Sequence, residues 1–369
     1  MLRESISWLL GKVQRLLFPE LEEICTDPIT EKQKHLITIL EIVQIEKYMW
    51  WVDNQCKGRK LKERYAIGRA FVAKAVYNYT TTSLLIESLK TMPNLRTISG
   101  FAKINDIPSE STFSRAFAEC ATHGLVDKVH EALVKDHLSE ELIGHVSTDS
   151  TAIEGNEKPQ KKERELIEKK EPKKLGRPKK GEEREKKTEE KRIDRQVNEN
   201  YEVSLKELPC VCDIGCKVNS QGYKETWRGY KLHIGASDSG LPITVVLTSA
   251  SLHDSQVAIP MMKMATDRVT YCYDLMDSAY DAKTIYDTSK NLGHVPIIDK
   301  NPRRGSVLPM STAEAIRYNE RTTIERVNGR LKTEFGGNNV LVRGSMKVKM
   351  HLMIGIVVLF ADQMLKLIT

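Results

Sequence analysis

From Met1 to about Gly144 the apolar positions recur every three to four residues, the period of helices that bury one face. They predict helices near 4–17, 30–50, 65–78, 81–91, 95–104, 110–122, 125–137 and 139–143, and no alternating strand of useful length. Beyond Gly144 the pattern changes. A Thr-rich segment from Gly144 to Ile153 reads as a strand, and 227–235 and 241–248 read as two more, joined by a turn at Asp238, Ser239 and Gly240. A helix is expected from His253 to about Asp267, a strand over 269–276, a helix over 281–291 and a strand over 294–299. A polar link then leads to a helix from about Thr312 to Phe335, and the apolar run Met350–Ala361 predicts a buried C-terminal helix. That run is about 12 residues long, short of the roughly 20 that a membrane span needs.

The helix after Thr312 carries more pattern than a core needs. At about 100° per residue, with Tyr318 at zero, Ile316, Ile324, Val327 and Leu331 fall near 160–240°, an ordinary apolar stripe. Arg321, Glu325 and Lys332 fall near 300–340°, and Thr322, Arg326, Arg330 and Thr333 take the remaining, solvent-facing arc. A tyrosine, two cations and one carboxylate thus line a stripe of their own, roughly 21 Å long. On periodicity alone this is either a solvated face with intrahelical ion pairs or a surface that lies along a polyphosphate.

Composition describes a soluble globular chain with one highly charged insert. The 369 residues are 40% apolar and 29% charged, enough for two or three domains. Of the net charge of +7, +6 lies in residues 157–195, which hold 17 Lys/Arg against 11 Asp/Glu and almost no aromatic or β-branched residue. Such a segment buries too little to offset its ordering entropy, so a flexible insert is expected over 155–199. Within it Gly176, Arg177, Pro178 and Lys179 resemble the core of an AT-hook, in which an arginine enters the narrow minor groove of A·T-rich DNA, although lysine follows the proline here. A flexible lysine-rich loop reads equally well. Seven cysteines and no cleavable signal peptide suit a reducing cytoplasm. Cys210, Cys212 and Cys216, with His233, form an incomplete zinc pattern, and free thiols are the favoured reading.

Two further features point to DNA. The pair of helices over 95–122, with a proline in the turn, resembles a helix-turn-helix: Phe113, Phe117 and Cys120 face inward, while Thr112, Ser114 and Arg115 stand where such a unit reads a groove. The order of elements after Gly144 is three antiparallel strands followed by two parallel ones linked by helices, the order of an RNase H-like α/β fold with a mixed sheet. In that order Asp149 in the first strand, Asp277 at the end of the fourth and Glu325 on the late helix converge, although 128 and 48 positions separate them. Three carboxylates suit magnesium, with manganese as a substitute, and a pair of such ions activates the attacking oxygen and stabilises the leaving oxygen of a phosphodiester. Arg321 and Lys332 flank Glu325 and would hold the phosphates.

The spacing Tyr318, Arg321, Glu325, Lys332 matches the Y-R-E-K pattern of bacterial insertion-sequence transposases of the DDE class, which the chain resembles over about 145–360. The resemblance implies that Asp149, Asp277 and Glu325 are metal ligands and that Tyr318, Arg321 and Lys332 contact DNA near the cleaved strand. It implies binding of terminal inverted repeats, metal-dependent cleavage at the element ends, and attack of the freed 3′-hydroxyl on target DNA by a homodimer in the bacterial cytoplasm, at the nucleoid, with no membrane involved. Residues 1–143 would be the helical DNA-binding domain, contributing Arg115, and 144–369 the catalytic domain with its insert, contributing Arg177 and Lys179. The 48 positions between Asp277 and Glu325 leave no room for the β-rich insertion some relatives carry, which puts their hairpin-ended intermediate in question here. The alternatives are a noncatalytic DNA-binding derivative and a metal-dependent nuclease on the same fold.

Overall fold

The structure, a computed structural model, describes residues 28–53, 63–160, 191–218, 221–302 and 309–368. The helix expected over 4–17, Cys25, Cys56 and the central part of the charged insert, with Arg177 and Lys179, lie outside the described residues. The chain is a mixed α/β protein with a helical N-terminal region.

That region holds α1 (Glu31–Val43), α2 (Trp50–Asp53), α3 (Arg64–Val76), α4 (Thr82–Thr91), α5 (Pro93–Ser99), α6 (Glu110–Thr122) and α7 (Leu125–Leu138). Local chemistry sets their ends. Thr30 and Gln33 close a reciprocal capping box at the start of α1. Pro93 opens α5, and Gly100, at φ +94°, stops it sooner than the expected end at 104. Residues 139–143, expected to be helical, are not: β1 (Leu142–Glu154) begins there, because its backbone has a parallel partner waiting in β5.

The sheet is built from β1, β2 (Asp213–Val218), β3 (Lys224–Ser237), β4 (Pro242–Ser249), β5 (Thr270–Met276) and β6 (Val295–Ile298). Its order is β2-β3-β1-β5-β6, with β4 also on β3. β1 to β4 pair antiparallel, while β5 runs parallel to β1 and β6 parallel to β5. Strand β2 had no sequence signal. Its residues, from Asp213 to Val218, lack a clean apolar alternation, and they pair with the first half of β3, before Gly229. At Gly229 (φ +148°) β3 passes from β2 to β4, and an added Cβ would lie 2.2 Å from the Ile153 carbonyl oxygen, so only glycine allows the approach.

The C-terminal end of the expected flexible insert is folded. Helices α8 (Arg192–Asn198) and α9 (Tyr201–Lys206) lie on α10 (Ser255–Arg268). The reason is in α10 itself. Pro260 has no N–H to give to the Gln256 carbonyl, and Gln196 Nε2 donates to that oxygen instead, at 2.9 Å. Lys263 Nζ meanwhile caps α8 by donating to the carbonyls of Gln196, Val197 and Glu199. Helix α11 (Lys283–Asn291) follows β5 and packs on α10 and β6.

The helix expected from 312 to 335 is two helices, α12 (Thr312–Asn319) and α13 (Thr322–Glu334). Between them the backbone amides of Glu320, Arg321, Thr323 and Ile324 each donate to the carbonyl three residues back, a 3₁₀ link. Ile316, placed on the inward stripe by a continuous helix, is therefore 64% exposed. Arg330, placed on the solvent arc, is instead held by Glu334, Asp362 and Gln363.

The last helix, α14 (Ser345–Ile368), organises the rest. It touches α1, α3, α6, α7, α13 and β4, so that the N-terminal helices and the sheet share one apolar core, undivided at the boundary expected at 143/144. By length and composition it could cross a membrane, yet Leu352, Ile356, Val358, Leu359, Phe360 and Ala361 are fully buried against protein. At Gly355 an added Cβ would meet the Phe335 carbonyl oxygen at 2.6 Å, so α13 ends directly against this helix. Asp362, also on α14, is buried among His35 of α1 (3.0 Å), Lys366 (3.1 Å) and Arg330 of α13. Burial pushes its carboxyl up, but the hydrogen bonds from His35, Arg330 and Lys366 outweigh it and hold the group well below the usual carboxylate range.

Removing that carboxylate leaves the Arg330 charge unmatched, so Asp362→Ala should cost about 3 kcal/mol at neutral pH. Because the folded-state value lies below the unfolded one, the contribution is full above about pH 4 and drains away as pH falls. Urea melts of wild type and variant should therefore differ at pH 7 and converge toward pH 2.

Candidate active site

The register of β1 against β5 decides the geometry. Thr148 stands opposite Met276, so the next position on each strand path brings Asp149 beside Asp277. Adjacent strands lie about 4.8 Å apart, which leaves two carboxylates as near neighbours. Asp277 is the first residue past β5, where its Oδ1 accepts the Ala279 amide at 2.9 Å and starts a 3₁₀ turn, Ser278–Tyr280. Asp149 is mostly covered, with 20% of its side chain exposed.

Helix α13 lies over β1 and β3 and buries Ile324, Val327 and Leu331. One turn away on the same helix, Asn328 Nδ2 donates to Asp149 Oδ2 at 3.2 Å. Arg321, at the head of the helix, spans two acids: its Nη2 donates to Glu325 Oε1 at 2.9 Å, and its Nη1 stands 3.9 Å from Asp149 Oδ1. The Arg321 guanidinium also lies 5.8 Å from the centre of the Tyr318 ring, so Tyr318 reaches the site although it belongs to α12. Lys332, two turns on, lines a groove of about 530 Å³ with Ala152, Glu154, Trp227 and Asn338. Burial and the nearby Lys217 push its ammonium below the usual lysine value, while Glu154 and Asp149 act in the opposite direction.

A fourth acid belongs to the cluster. Asp254, just before α10, accepts from Lys231 Nζ at 2.8 Å and has His233 Nδ1 at 3.9 Å. Its charge acts on Asp149, Asp277 and the fully buried Tyr280, whose hydroxyl has no hydrogen-bond partner among the described residues. Burial pushes Asp149 up to about 6; Arg321 opposes this, and Asp277 and Asp254 add to it. Asp277 is raised as well, by burial first and by Asp254 after it. His233, wholly buried, is pushed down to about 4 and is neutral at pH 7.

The structure thus brings Asp149, Asp277, Glu325, Tyr318, Arg321 and Lys332 into one region. Arg115 stands apart from it on the exposed face of α6, held by the Ser111 carbonyl and the Thr112 hydroxyl of its own helix. Asp274 and Asp281, the other acids near Asp277, are engaged elsewhere. Asp274 accepts from Tyr271 and Ser289 in the interior, and Asp281 accepts the Asn301 amide. Asn328 and Lys231 were the residues that sequence reasoning missed. Asn328 falls near 280° on the wheel that places Glu325 near 340°, so it was visible on the polar stripe, and Lys231 shares a strand face with His233. Among the described residues no three His, Cys, Asp or Glu side chains stand together as a metal-binding set, and the Glu325 carboxylate is turned to Arg321 and 57% exposed. Cys210, Cys212 and Cys216 are free thiols.

The raised Asp149 value has a measurable consequence. A carboxyl whose folded-state pKa exceeds its unfolded one opposes folding once both forms ionise, and is neutral to stability below about pH 4. Without divalent metal, Asp149→Asn should therefore stabilise the protein by about 1–2 kcal/mol at pH 7.5 and leave it unchanged near pH 4. Thermal melts at the two pH values measure this.

A family model described as a transposase DDE domain matches residues 215–361. No curated protein and no solved structure matches the chain. The matched span runs from within β2 into α14 and includes Asp277 and Glu325. Asp149 lies outside it and enters the site by its register on β1. Over that span, less than half of its length, the chain is similar to a transposase DDE domain.

Proposed function

We propose that the chain is a DNA transposase that cuts phosphodiester bonds at the ends of an insertion sequence and joins the freed 3′-hydroxyl to target DNA. The observation that carries this reading is the placement of Asp149 beside Asp277 with Arg321 reaching from Asp149 to Glu325. The spatial order β4-β3-β1-β5-β6, antiparallel through β1 and parallel beyond it, with β2 as an added strand on β3, supports an RNase H-like topology for the catalytic part. The family match supports transposase chemistry over the span that holds the second aspartate and the glutamate.

The donor set fits a hard divalent cation. Asp149 and Asp277 are hard oxygen donors set beside each other, and the repulsion from Asp277 that adds to burial in raising Asp149 to about 6 is the kind of penalty that a bound cation relieves. Asp149, Asp277 and Glu325 would hold magnesium or manganese, which when bound supplies Lewis-acid activation of the phosphate and of the attacking oxygen. The chain's own residues do the rest. Asn328 fixes one oxygen of Asp149, and Arg321 faces the other. Lys231 holds Asp254 in place and offsets its charge. Arg321 and Lys332, on the rim of the acids, grip the phosphates of the strand to be cut and offset the charge that gathers on the transferring phosphorus oxygens. Tyr318 backs the Arg321 guanidinium with its ring. Two copies of the chain would hold the two ends of the element.

Cleavage and strand transfer on a duplex carrying the element's end, with magnesium or manganese, test the reading. Asp149→Ala, Asp277→Ala and Glu325→Ala should each lower both steps by at least about a thousandfold, while end binding persists. Lys332→Ala should weaken binding and flatten its dependence on salt by about one counterion. Cutting without joining by the wild type would identify a nuclease, and end binding without cutting would identify a DNA-binding protein. Full activity in all three acid variants would overturn the proposal.

A further inference from the structure

A second groove, of about 400 Å³, opens between the helical N-terminal region and the stretch that leads into α14. Lys74 of α3 and Phe117 of α6 form one side, and Leu341, Arg343 and Lys347 form the other. None of these residues takes part in the acid site.

Cations outnumber acids in the groove, with Glu110 the one carboxylate among its lining residues. Lys74, Arg343 and Lys347 line it, and among the described residues none of the three is in an ion pair with a carboxylate. Glu110, on the rim, is paired with none of them. Lys74 is the informative one. It is partly buried, and burial alone pushes its ammonium below the usual lysine value, with no acid acting on it. Beside it His351 is pushed down to about 4, first by burial and then by the charge of Lys74, so it remains neutral and offers no counter-charge. A cation that has lost water without gaining an acid favours any anion that enters. Arg343 is aimed by its Nε, which donates to the Asn156 carbonyl at 2.9 Å and leaves the rest of its guanidinium unengaged among the described residues.

The same groove has an apolar wall. Phe117 stands edge to face on Phe71, with centroids 5.2 Å apart, and is only partly buried. Leu341 across from it is 51% exposed. An inorganic anion would leave this wall unused, and an apolar ligand would leave the three cations unmatched. A nucleotide satisfies both, because a base offers a flat face for stacking and its phosphate offers charge.

We propose that this groove binds a nucleotide unit, with the base against Phe117 and Leu341 and the phosphate at Lys74, Arg343 and Lys347. Helix α6 forms one wall, with Glu110 and Ser114 from its first turns at the rim, so a DNA strand that follows that helix passes the mouth of the groove. An unpaired nucleotide in such a strand and a free nucleotide present the same chemistry. The first source rests on the DNA reading above; the second does not.

The test uses the full chain in metal-free buffer, so that cleavage plays no part. Fluorescence anisotropy reads binding of a labelled oligothymidylate, and calorimetry reads binding of thymidine 5′-monophosphate. Phe117→Leu, Arg343→Gln and Lys347→Gln should each weaken binding by at least about fivefold, and Lys283→Gln, an exposed cation on α11, should leave it unchanged. Loss with the oligonucleotide alone assigns the groove to a DNA strand, and loss with the mononucleotide as well assigns it to nucleotides in general. Wild-type binding in all three groove variants, no binding of either probe by the wild type, or equal weakening by Lys283→Gln would overturn the proposal. Should Phe117→Leu fail to fold by circular dichroism, the two glutamine variants carry the test.

Discussion

Two carboxylates placed side by side on a parallel strand pair repel each other, and burial removes the water that would screen them. Asp149 and Asp277 are in that position because Thr148 pairs with Met276, and a shift of one residue would turn Asp149 to the other face of the sheet. Much of the surrounding structure answers this one constraint. Arg321 brings a cation to the edge of the pair, Asn328 donates to one oxygen of Asp149, and Lys231 pairs with Asp254, whose charge still adds to the repulsion. Asp149 remains raised to about 6 after all of these, by burial first and then by the charges of Asp277 and Asp254.

Holding that arrangement requires α13 to be fixed from outside the sheet. The helix presents Arg321, Glu325 and Asn328 to the acids on one side, and Arg330 leaves on the other to meet Asp362 of α14. Gly355 lets the end of α13 rest on α14 without a side chain between them. Because α14 also carries the contacts to α1, α3, α6 and α7, the N-terminal helices and the acids are braced by a single rod.

Local pattern was a good guide wherever one element settled its own fate. Helices α4, α6 and α7 lie within a residue of their periodicity, and the turn at Asp238 to Gly240 joins β3 and β4 as its composition indicates. It failed where a partner made the decision. Strand β2 has no alternation of its own and exists because β3 has a free edge before Gly229. Helix α8 was hidden in a run of charge, yet Pro260 leaves a carbonyl on α10 that Gln196 fills. The 3₁₀ link at Glu320 and Arg321 turned Ile316 outward and moved Tyr318 onto a helix of its own, while cation and ring still meet.

The sequence by itself determined which residue types could gather: three acids in strand-end and helical settings, and a stripe of cations beside one of them, because period and composition are local properties. The element order already pointed to Asp277 as the partner of Asp149, but the register that sets the two side by side and leaves Asp274 in the interior is a relation between two strands, which no single strand encodes. Tertiary structure alone brought Lys231 to Asp254 beside the acids, because a charged side chain takes the partner that folding puts nearest, whereas the pairing of Glu325 with Arg321 one turn back is a local property of the helix.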